Sequence, residues 1–216
     1  MKYENELFIL NYTEKDKYYI EDFMKYLNDN SKRIMDFFNL EKLSTKITIN
    51  LIENKEEIDK IFTSIHNMPA YDFLVGFARD SQIYYISFNE LNNVPKHQND
   101  TYDYYQKTIV HEFVHICNRE FSSLWIRCLC EGLAVYLSKQ QDKNDIGFNI
   151  TKDKLFNGRV NYIQSFLFVK YIIENYDHDF VLNLYKSEKF AKENLDRLYD
   201  ETVEYYQTKN KVNESY

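Results

Sequence analysis

Only 4 glycines and 2 prolines punctuate this chain of 216 residues. These two residues supply most tight turns, so their scarcity favours long helices over a many-turned all-β fold. Periodicity agrees. From Asp100 onward apolar residues recur at helical spacing almost throughout, predicting helices near 102–118, 123–141, 155–176, 178–188 and 191–207. Ahead of them, apolar positions from Tyr19 to Phe38 predict a helix over about 14–38. "KITINLI", Lys46 to Ile52, alternates as a half-buried strand does. "NKEEIDKIFTSI" returns to helical spacing. Two strand-like pieces follow, Phe73 to Ala78 and Ile83 to Phe88, joined by the polar "RDSQ" as a hairpin. The expected fold is α+β, with a small N-terminal mixed sheet and its helices followed by a mostly helical half. No repeat or linker divides the chain. We therefore expect one domain over 1–216, with an α/β subdomain (1–100) and a helical subdomain (101–216).

Composition excludes some functions. Hydrophobic residues make up 44% and charged residues 28%, ordinary for a globular protein, and the abundant tyrosines and phenylalanines carry no functional weight by themselves. A formal charge of −7 argues against non-specific binding to nucleic acid or to anionic membranes. The N-terminus has an apolar run of only Leu7 to Leu10, too short for a secretory signal, and no segment reaches transmembrane length. A cytoplasmic location is expected. Three cysteines, Cys117, Cys128 and Cys130, fit free thiols in a reducing compartment. The Cys-x-Cys pair near two histidines invites a zinc reading, but burial in the core explains it as well.

One stretch carries chemistry: "TIVHEFVHICNREF", Thr108 to Phe121. His111 and His115 stand four apart, so on a helix both imidazoles lie on one face and can reach one metal ion. Glu112 is turned about 100° from His111, placed to take a proton without being a ligand. Ile109, Val110, Phe113, Val114 and Ile116 fill the other faces, so the helix belongs in the core. Buried there, two histidines and a glutamate need partners. A metal satisfies all three; a core helix bonded to nearby carbonyls and carboxylates is the alternative.

A catalytic zinc has three protein ligands and an open position. The candidate for the third is Glu131, in "CEGLAVYL", where Gly132 permits a close approach by backbone or ligand. A surface carboxylate on an amphipathic helix is the other reading. The double serine before that segment, Ser122 and Ser123, is suited to capping its helix.

His111-Glu112-x-x-His115 followed by Glu131-Gly132-Leu133-Ala134 resembles the gluzincin metallopeptidases, in particular their peptidase MA-like domains. The resemblance extends over about residues 15–180. The leading helix, strand, helix and strand pair are similar in order, and "YIQSFLFVKYI", Tyr162 to Ile172, is similar to a later helix of the family. It implies one zinc ion per chain held by His111, His115 and Glu131, hydrolysis of peptide bonds with Glu112 as general base, and Tyr162 as oxyanion donor with Tyr171 and Tyr176 behind it. A core position is the other reading for Tyr162. The sequence departs from thermolysin-type members at Val135, where they have an aspartate supporting a zinc histidine, and near Asp177, where a glycine is usual.

The expected partner is a peptide or protein substrate lying along an edge strand, with "FLVGFA" as the candidate because Gly76 leaves room for a close chain; an interior strand with a bulge is the other reading of that segment. Two rival readings are a catalytically silent zinc-binding module acting in binding or regulation, and a non-enzymatic helical protein. His66, His97 and His178 are expected on the surface. The polar tail Thr208 to Tyr216 is open to two readings, disorder or folding over the cleft.

Overall fold

The computed structural model describes residues 1–141 and 147–213, with side chains to 209. The architecture is α+β, a five-stranded mixed sheet followed by a mostly helical half. Two compact units divide the chain, Met1–Glu120 and the residues from Phe121 onward.

In the first unit β1 (Lys2–Glu4) pairs antiparallel with β2 (Phe8–Asn11), and β2 pairs parallel with β3 (Ile47–Ile52). Beyond β3 comes β5 (Gln82–Ile86), parallel to it, and then β4 (Gly76–Arg79), antiparallel at the edge. Strands β1 and β2 are absent from the sequence expectation; at 3 and 4 residues they are too short to establish a period-2 pattern.

Helix α1 (Ile20–Phe37) joins β2 to β3, as parallel neighbours require. It starts later than expected, because Glu14–Asp16 forms a separate 3-10 turn closed by a Thr13/Asp16 capping box. Asp16 is fully buried and accepts hydrogen bonds from Tyr19, Ser87 and Thr13. Burial alone would raise its pKa, but those bonds outweigh it and hold the carboxyl below its ordinary value.

The sheet is covered on both faces. Helix α2 (Lys55–His66) packs Ile58 and Phe62 against Ile52, Leu74 and Phe77. The alternate face meets α1 and α3 (Tyr102–Phe121): Phe8 lies edge-on to Phe113 at 5.5 Å, and Tyr105 touches both Tyr85 and Phe23. Much of the aromatic content serves as this core.

The strand expected over 73–78 begins only at Gly76, because the Leu74 amide turns back onto the Tyr71 carbonyl. The expected turn after it is present at Asp80 and Ser81. Gly76 has a use other than the one read from sequence. A Cβ there would lie 2.1 Å from the ring of Tyr85, its partner across the ladder, so its missing side chain accommodates that ring. Tyr85 is 1% exposed and cannot swing away. Gly76→Ala is therefore expected to destabilise the protein by about 1–3 kcal/mol in urea unfolding, and by much less in a Tyr85→Ala background. Equal costs in both backgrounds would refute the contact.

In the second unit α4 (Arg127–Ser138) crosses α6 (Tyr162–Asn175) at Gly132, where an added Cβ would fall 2.2 Å from the Ser165 carbonyl oxygen. The double serine does not cap α4. Its N-cap is Ile126, and Ser122 instead accepts the Leu124 amide. The single helix expected over 155–176 is two, α5 (Lys152–Phe156) and α6, because Asn161 caps the second by accepting the Gln164 amide. Asp177 likewise caps α7 (His178–Lys186) through the Phe180 amide, which ends α6 without a glycine. Helix α8 (Glu188–Asn213) includes the first part of the polar tail; residues 214–216 lie outside the described residues. Among the described residues no helix is long and apolar enough to cross a membrane.

Candidate metal centre

Helix α3 is apolar nearly all round. Ile109, Val110, Phe113 and Val114 are fully buried, and His111 and His115 are each 6% exposed. One turn apart, the two imidazoles stand perpendicular, ring centroids 4.6 Å apart at 86°, with their Nε2 atoms 3.0 Å apart. Two nitrogens bound to one tetrahedral zinc at ordinary bond lengths lie about 3.3 Å apart. The observed pair is within a few tenths of an ångström of that, with both Nε2 atoms converging.

Glu131 is half-buried in the first half of α4. One ligand atom from each of His111, His115 and Glu131 can be chosen so that all lie within 4.8 Å of one another. Two imidazoles and one carboxylate form a donor set suited to zinc. No cysteine belongs to this group. Burial, with Glu120 adding to it, pushes the Cys117 thiol up, and burial with Cys130 pushes Cys128 to about 12. All three cysteines are buried and outside any disulfide, as packing residues are.

Glu112 is half-buried and follows His111 directly. Its charge reaches Tyr85 on β5. The Tyr85 phenol lies well above its ordinary range, first through burial and further through Glu112, while a hydrogen bond with Thr108 opposes both. Helix α3 meets the sheet at Tyr105, against Tyr85, and at Arg119, which bonds Ala78, and Glu112 lies midway along the helix between these two points.

Tyr162 is the first residue of α6 and is 50% exposed, so the core reading of this tyrosine does not hold. It precedes Ser165, the point where α6 meets Gly132, by one turn. Tyr171 and Tyr176 are occupied elsewhere: both hydroxyls donate to Glu201, and Arg197 Nη1 donates to the Tyr176 hydroxyl at 2.6 Å. Burial, then Glu201, raises Tyr171 to about 12. Val135 is buried in α4 and offers the imidazoles no carboxylate.

Of the three remaining histidines, His178 is exposed, and His66 and His97 are half-buried. His97 bridges Asp100 (Nδ1, 2.6 Å) and the Phe73 carbonyl (Nε2, 3.0 Å), while His66 stacks on Phe62 at 4.4 Å. Sequence reading also passed over Arg119, whose Nη1 donates to the Ala78 carbonyl at 2.9 Å. Its signal was positional: it continues the His111, His115 spacing by one more turn.

The chain matches no known family, no curated protein sequence and no solved structure.

Proposed function

We propose that this protein is a zinc-dependent metallopeptidase of the gluzincin type. The observation that supports this most directly is the grouping of His111, His115 and Glu131 within 4.8 Å, with Glu112 next to the first histidine on the same helix. When bound, zinc polarises the scissile carbonyl and lowers the pKa of a coordinated water to about 7.

The protein's own residues do the rest. His111 and His115 present Nε2 lone pairs from a rigid buried helix, and Glu131 adds a third donor while neutralising part of the charge. Glu112 accepts the proton of the attacking water on its carboxylate and passes it to the leaving amine. The Tyr162 hydroxyl donates to the developing oxyanion. The substrate backbone lies along β4, whose outer side has no strand neighbour among the described residues.

Metal analysis tests the ligand set. Protein purified without added metal and then titrated is expected to hold about one zinc per chain. His111→Ala and Glu131→Ala should each weaken zinc binding by at least about 100-fold, more than loss of an outer partner does. Zinc content below about half an ion per chain in the unaltered protein would sink the reading.

A further inference from the structure

The outer edge of β4 ends at a pair of guanidinium groups. Gly76 lies opposite Tyr85 and Phe77 opposite Tyr84, and the Ile86 amide donates to the Val75 carbonyl at 2.7 Å. That alternation turns the backbone groups of Val75, Phe77 and Arg79 toward β5 and those of Gly76 and Ala78 outward. The outward carbonyl of Ala78 accepts from Arg119. A chain laid along this edge can pair with Gly76, but at Ala78 it meets a guanidinium.

Arg79 follows directly. Its exposed side chain lies 3.7 Å from Asp80, a loose surface ion pair that an incoming carboxylate can replace. His66 stands behind this end of the strand, edge-on to Phe77 at 5.5 Å, with Nε2 buried and without a hydrogen-bond partner. Burial lowers its pKa first, and the charges of Arg79 and Arg119 lower it further. Two guanidinium groups and one carboxylate, that of Asp80, thus stand at this end of a strand in a chain of formal charge −7. Arg119 stands one turn beyond His115 on α3, a rise of about 6 Å, which extended peptide covers in about two residues.

We propose that this edge selects peptides carrying a carboxylate about two residues from the bond that is cut, with Arg119 and Arg79 as the specificity-determining residues. The inference rests on the peptidase reading above. The carboxylate has two sources, an Asp or Glu side chain or a free C-terminus. On α3 Glu112 lies between Tyr105, which meets the partner of Gly76, and Arg119 at Ala78, so the cut falls on the Gly76 side of Ala78. A substrate antiparallel to β4 then brings residues N-terminal to the cut toward Arg79, where a side chain must supply the acid. A parallel substrate brings C-terminal residues there, and the chain terminus also fits.

The test separates binding from cleavage. Zinc-loaded Glu112→Gln protein is titrated with fluorescein-labelled peptide pools holding Asp/Glu or Asn/Gln, each with a free or an amidated C-terminus. Wild-type cleavage is mapped on the same pools. Pools with a carboxylate should bind about tenfold more tightly than their amide counterparts. The advantage should vanish in the Arg79→Gln, Arg119→Gln double variant and reverse in favour of the amide pools in Arg79→Glu. Arg119→Lys keeps the charge and a donor for Ala78, so it should retain most of the preference and guards against a folding defect. Dependence on the free C-terminus identifies the terminal carboxylate; dependence on Asp/Glu identifies the side chain. Equal binding of acid and amide pools, no binding of either, or a preference that survives the double variant overturns the inference. Wild-type cleavage without acid preference does so too and leaves the peptidase reading standing. Arginine-dependent binding of acidic peptides with no cleavage does the reverse.

Discussion

Glu112→Gln is expected to lower peptide cleavage about a thousandfold while zinc content stays at that of the unaltered protein. The amide keeps the size and shape of the carboxylate, so the packing of α3 is undisturbed. What it loses is the capacity to take a proton from water. General-base catalysis contributes about 100- to 10,000-fold, so the loss should fall within that span. Two measurements are needed together: zinc per chain by elemental analysis, and the rate on a peptide the wild type cleaves. Full activity in the variant refutes Glu112 as the base. Zinc retained by a wild type that cleaves no peptide in a broad library instead favours a binding or regulatory module.

The second large effect concerns the fold around Glu131. Gly132→Ala should destabilise the protein by about 3 kcal/mol, although alanine is the better helix former by about 1 kcal/mol. The opposite signs make the experiment decisive. An added Cβ would lie 2.2 Å from the Ser165 carbonyl oxygen and 2.7 Å from its carbon, both backbone atoms of α6 that cannot rotate aside. The two helices must separate, and Glu131, the preceding residue, moves with α4. Urea unfolding should therefore show a lower midpoint, and a zinc titration of the folded variant a weaker affinity. A variant as stable as the parent, or more so, would show that the helices do not cross at this contact.

Sequence patterns revealed the long-period parts of this structure better than its short ones. Helix α3 was legible because a buried face repeats over twenty residues, and β3 because Ile47, Ile49 and Leu51 alternate against polar neighbours. Strands β1 and β2 were not, since their identity comes from pairing with β3 rather than from a pattern of their own. The break between α5 and α6 lay in Asn161, whose capping role looks the same in sequence as a polar residue inside a helix. At the candidate site, residue types and spacing were enough to nominate His111, Glu112, His115 and Glu131. Gly132 was read correctly as a point of close approach, and the approaching group is the Ser165 backbone. At Gly76 nothing in the sequence says which neighbour occupies the space above a glycine, and the Tyr85 ring is there. Arg119 escaped because its partner is a backbone carbonyl more than forty residues away, which leaves no mark on side-chain composition.

The contact between Arg119 and Ala78 has one more consequence. A strand with unpaired outward groups can recruit the same strand of another molecule, and sheets that stay open at an edge are prone to polymerise. Here the outer edge spans four residues, and a bulky cation occupies its second outward carbonyl. The opposite margin is a three-residue strand where Glu4 is held between Lys2 and Lys46. Both margins are short and charged, so neither offers a second folded copy the long ladder that aggregation needs.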